Sequence, residues 1–146
     1  MRHVTAILLA LILMSCSCYE ERLSPEEAAK VGVPIGTIIT ANKELIGMLI
    51  ENVDDGHNYI VITQLPGFSN RYVLKRIPIT AGTAFEIIGF TRPRSPLCSG
   101  TNAVLRSKKE FESSGVEAQI DLIEMAVGTF TVNQEMFSVQ MPEQGG

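Results

Sequence analysis

From residue 37 onward, turn residues interrupt the chain about every ten positions, and the stretches between them are short and apolar. That rhythm excludes more folds than any other feature. A parallel α/β sheet needs a dozen or more residues, usually helical, between paired strands, and no interval here supplies them. Runs rich in Ile, Val, Leu, Phe and Thr cover 37–41, 44–53, 59–65, 71–79, 83–90, 103–106, 116–125 and 130–141. Asp54-Asp55-Gly56-His57 predicts a hairpin turn between the second and third of these runs. Val116, Ala118, Ile120 and Leu122 alternate with Glu117, Gln119 and Asp121, the period of a half-buried strand. The last run loses phase near Gln134, where a bulge is expected. The expected fold class is mainly β: a small antiparallel β-barrel or sandwich of about seven to eight strands.

One short N-terminal helix precedes them. Ser24-Pro25-Glu26-Glu27 combines a capping Ser, Pro at the first helical position and Glu three residues after Ser, a capping box. Gly32 is expected to end this helix after two turns at most.

The first sixteen residues follow other rules. Met1-Arg2-His3 is basic, and 4–14 is apolar except for Thr5. Eleven residues are too few to span a bilayer, which takes about 20, but they suit the apolar region of a secretory signal peptide. The run ends in Leu13-Met14-Ser15-Cys16. This resembles the lipobox of bacterial lipoprotein precursors, over residues 1–16 only. The resemblance implies a diacylglyceryl group on Cys16, cleavage after Ser15 and N-acylation of Cys16. Ser17, rather than Asp, follows the modified cysteine, which in enterobacteria implies sorting to the outer membrane, facing the periplasm. The expected organisation is a signal peptide over 1–15, a lipid tether and short helix over 16–33, a β domain over 34–141 and a flexible tail over 142–146. The chain from Cys16 onward suits one domain.

With Cys16 lipidated, Cys18 and Cys98 remain. A Cys18–Cys98 disulfide, two free thiols and an intermolecular bridge through Cys18 all stay open. Metal binding is not expected: no C-x-x-C occurs, and His57 is the single histidine after Cys16. The sequence also lacks a G-x-S-x-G elbow, a Gly-rich phosphate loop and a telling pair of carboxylates. Neither enzymatic activity nor a cofactor is expected.

Charge is segregated. Residues 16–65 hold three Lys/Arg against eight acids, 66–109 hold eight against one, and 110–146 hold none against seven. Two readings follow. The blocks pair with one another across strands, or the basic block forms a face for an anionic partner. Arg71, Lys75, Arg76, Arg92 and Arg94 are the candidate partner-binding residues, and 91–100 reads as a long loop with two prolines and two arginines. Nucleic acid is an unsuitable partner for an envelope chain with a net charge of −4. The expected function is a lipid-anchored, non-enzymatic binding or accessory module for an envelope protein or anionic envelope component. The alternative is a small-ligand carrier or envelope enzyme with its site inside the β domain.

Overall fold

The computed structural model describes residues 20–52, 56–95, 98–107 and 116–142. Among them are eleven strands: β1 (Glu20–Arg22), β2 (Ile38–Ala41), β3 (Leu45–Ile50), β4 (Tyr59–Gln64), β5 (Val73–Ile79), β6 (Ala84–Pro93), β7 (Asn102–Ser107), β8 (Ala118–Asp121), β9 (Ile123–Glu124), β10 (Phe130–Thr131) and β11 (Phe137–Gln140). The one α-helix described, α1 (Pro25–Ala28), is a single turn. Its capping box is complete. The Glu27 N–H donates to Ser24 Oγ, and the Ser24 N–H donates to the Glu27 carboxylate. The helix ends at Ala28, short of Gly32, which adopts a positive φ in the bend that follows.

Nine strands form one sheet in the order β11-β2-β6-β7-β8-β4-β3-β5, with β1 added on β6; β9 and β10 make a separate two-stranded ribbon. β3 and β4 form the expected hairpin, in register from Leu45–Gln64 to Ile50–Tyr59. The mainly β expectation holds, but two parts of it need correction. No closed barrel is found, and the strands number eleven, not seven or eight. The strands at the two ends of the sheet order, β11 and β5, do not pair with each other. The added strands come from β1, in residues read as tether, and from 116–141. There a break at Leu122 and a turn at 134–136 cut two expected strands into four, and a 3₁₀ turn at Ala126–Gly128 separates the two pairs.

The sheet curls around one core. Ile39, Leu45, Ile60, Ile79, Phe85, Ile87, Phe90, Ala103, Ile120 and Phe137 come from eight different strands and belong to one buried cluster. The turn between β5 and β6 sits on the bend between β2 and β3, where the Gly82 N–H donates to Ala41 O at 2.8 Å. Ala28, Val31 and Val33 belong to the same cluster. The alternation in β8 is as read: Ala118, Ile120 and Leu122 are buried, while Glu117 and Asp121 are exposed.

β3 is apolar on both faces. Ile46, Met48 and Ile50 form a second buried cluster with Tyr59, Val61, Tyr72 and Val73 packed against it. Burying each of these three side chains is worth roughly 1.5–3 kcal/mol. Part of the cover is the turn after β4, whose Gly67 backbone comes within contact distance of Ile46 and Met48. Arg76 fastens that turn: its guanidinium donates to Pro66 O and Phe68 O, both at 2.7 Å. A Cβ on Gly67 would lie 2.7 Å from Met48 Sδ and 3.2 Å from an Ile46 methyl, and its φ is +77°. Gly67→Ala is therefore expected to destabilise the fold by about 1–3 kcal/mol, read as a lower urea midpoint. An unchanged midpoint contradicts the packing described.

β5 ends the sheet, and this explains a proline inside a strand. The Ile60 N–H donates to Glu117 O, toward β8. Alternation across the β4–β3–β5 ladders then places the Pro78 nitrogen on the open side of β5, where no ladder bond is lost.

Candidate functional site

The basic segment does not form one face. Arg92 lies on β6, eight residues from its start, about 26 Å along the strand. It is not in a loop as read: β6 continues to Pro93 because β1 pairs with it, Glu20 opposite Pro93, Glu21 opposite Arg92 and Arg22 opposite Thr91. Glu20 fixes that register. Its carboxylate accepts from Asn102 Nδ2 at 2.6 Å and from Thr91 Oγ1 at 2.8 Å.

The arginines here face acids of the N-terminal segment. Arg92 Nη2 lies 2.5 Å from Glu27 Oε1 and 3.5 Å from Glu21 Oε1, and Arg94 Nε lies 2.7 Å from Glu21 Oε2. Arg22 pairs with Glu117, Lys30 with Glu26 and Arg106 with Glu86. The segregated charge is thus answered in part by pairing between blocks. The Arg94 guanidinium, with Arg92 behind it, holds the Glu21 carboxyl below the ordinary 4.5. Glu27 is also held below 4.5, first by the Ser24 backbone N–H and hydroxyl and then by Arg92.

Both depressed carboxyls favour the fold above pH 4.5, and their contribution is lost as pH falls through the lower folded values. The melting temperature of the domain is expected to drop as pH is lowered from about 5 to 3, more gently in Arg94→Gln, which removes the main cause acting on Glu21. Identical pH profiles for the two proteins contradict this assignment.

The other three candidates lie elsewhere. Lys75 and Arg76 are on β5, and Arg71 just precedes it. The Arg71 guanidinium stacks over the Tyr72 ring at 4.7 Å and hydrogen-bonds its hydroxyl. Arg76 is taken up in fastening the turn over β3. None of the three has an acidic partner among the described residues. Leu65, Phe68 and Leu74, from the same turn and strand, are exposed by 55%, 42% and 52%. The β5 edge therefore combines apolar surface with positive charge that has no acidic partner among the described residues.

At the β1 end, Leu23, Val31, Phe130, Glu27, Arg92 and Thr101 help to line an open cleft of about 460 Å³. Cys98 borders it and is disulfide-bonded. Cys16 and Cys18 lie outside the described residues, so the lipidation site and the Cys18 end of a Cys18–Cys98 bridge do too. His57 is exposed. Among the described residues, no group of three or more His, Cys, Asp or Glu side chains is placed to hold a metal ion. No described helix is long and apolar enough to cross a membrane.

Sequence reasoning missed the acids that meet Arg92 and Arg94, and the fastening role of Arg76. For the first, the signal was present as two blocks of opposite charge. For the second there was none, because backbone carbonyls carry no sequence label. Compared with protein-family models, curated proteins and solved structures, the chain matches none.

Proposed function

We propose that this chain is a lipid-anchored module of the bacterial cell envelope, held in the outer membrane through Cys16 and facing the periplasm. It catalyses no reaction and binds an acidic protein partner. The anchoring half rests on the resemblance of Leu13-Met14-Ser15-Cys16 to a lipobox. The binding half rests on one observation: Arg71, Lys75 and Arg76 lie together at the open edge of the sheet with no acidic partner among the described residues, beside exposed Leu65, Phe68 and Leu74. Arg92 and Arg94, also candidates by sequence, are better suited to a structural role, because Glu21 and Glu27 already occupy them.

An interface of this kind is attractive only while its charge is unscreened. Screening shortens from about 10 Å at 0.1 M salt to about 3 Å at 1 M. The full-length anchored protein, used as bait in detergent-solubilised envelopes, is expected to retain its partner at 0.1 M and release most of it at 1 M. Retention unaffected by salt contradicts an electrostatic interface.

A further inference from the structure

The sheet contains one parallel pair, β4 beside β8, and its ladder is only two residue pairs long: Ile60 with Ala118 and Val61 with Gln119. The same register would continue to Ile62 with Ile120 and Thr63 with Asp121, but those pairs are not formed. The strands separate at their carboxyl ends because their continuations are held apart. After β4 the chain turns back over β3. After β8 the Leu122 N–H is held by Thr101 O. Met136 and Phe137, from the segment that enters β11, border the resulting gap.

The gap is a cleft of about 350 Å³, within the range of small-molecule sites and room for roughly ten water molecules by liquid volume. Its lining has two kinds of side chain. Ile62, Ile120, Leu122, Ile123, Met136 and Phe137 are apolar, Ile123 being the exposed one; Thr63, Gln64, Asp121 and Asn133 are polar. The side chains of Thr63, Gln64 and Asp121 make no hydrogen bond to another described residue. The Asn133 carboxamide oxygen accepts from the Glu135 N–H at 3.0 Å, and its NH₂ has no partner among the described residues. Asp121 is the one charged residue lining the cleft. A mixed lining, in which exposed Ile123 and the edges of Leu122 and Met136 stand beside polar groups without a partner among the described residues, has the chemistry of a binding site.

We propose that this cleft binds a small primary amine with an apolar body. The ammonium meets the Asp121 carboxylate, the neighbouring amide and hydroxyl groups complete its hydrogen bonds, and the hydrocarbon portion lies against Leu122, Ile123 and Met136. The site is separate from the β5 edge and does not depend on the function proposed for it.

The test is a titration of the ¹⁵N-labelled full chain in detergent micelles with 2-phenylethylamine, and in parallel with 2-phenylethanol, the same skeleton without the charge. The amine is expected to give saturable shifts at Thr63, Gln64, Asp121 and Asn133. The alcohol is expected to bind at least about tenfold more weakly, the scale of one charge-assisted hydrogen bond. Asp121→Asn is expected to weaken the amine to the level of the alcohol, while Arg71→Glu leaves its affinity unchanged. Equal binding of amine and alcohol to the wild-type chain, or no saturable shift at these residues, overturns the proposal whatever the folding of the variant.

Discussion

Cells making Cys16→Ser are expected to yield a chain that takes up no fatty-acid label and moves from the membrane fraction to the soluble one. The expectation follows from the arithmetic of acyl anchoring. Each buried CH₂ contributes about 0.8 kcal/mol, so a single chain holds a protein only marginally, whereas several chains on one cysteine hold it durably. The apolar run over 4–14 is too short to take over that role as a span. Anchoring should therefore vanish with the thiol. Fatty-acid label that persists on the variant contradicts the assignment of Cys16 and points to Cys18.

Phe85→Ala is expected to cost about 3–5 kcal/mol of folding stability. Phe85 is 1% exposed, and its ring meets that of Phe137 edge to face, centroids 6.5 Å apart at 85°. The two rings belong to β6 and β11, and β2 lies between those strands, with Ile39 opposite both Phe85 and Val139. Removing the Phe85 ring leaves a cavity where three strands share one core and forfeits an aromatic pair worth about a further 0.5–1.5 kcal/mol. A domain of this size has roughly 5–15 kcal/mol in total, so the urea midpoint should fall steeply. A loss under about 1 kcal/mol would mean that the core cluster is not packed as described.

How much of this could be read from the sequence depends on the range of the interactions involved. The β3–β4 hairpin was legible because Asp-Gly turns and β-branched runs act locally. So was the helix start at Ser24, whose cap involves residues three apart. β1 was not legible. Glu20-Glu21-Arg22 has poor strand propensity, and Thr91 and Asn102, seventy to eighty residues away, hold it in place. The length of β6 was misread for the same reason. Arg92 and Pro93 resemble the start of a loop until β1 supplies their partners. The site followed suit. Opposite charge blocks were visible, but nothing local says that Arg92 meets Glu27, 65 positions away, rather than an outside partner. The cleft between β4 and β8 depends on two strands parting, which neither strand's own sequence encodes.

The central claim is that the free charge at the β5 edge meets the partner while Arg92 and Arg94 hold the domain's own N-terminal segment. Capture of the envelope partner at about 0.1 M salt separates the two roles when Arg71→Glu/Lys75→Glu is set beside Arg92→Glu/Arg94→Glu, both in the anchored full-length chain. The account predicts that the first pair loses capture at least about tenfold, as expected for disrupted charge complementarity, and keeps the wild-type urea midpoint. The second pair should keep its partner and unfold more readily. Wild-type capture by the first pair, or loss of capture in the second pair alone, would contradict it.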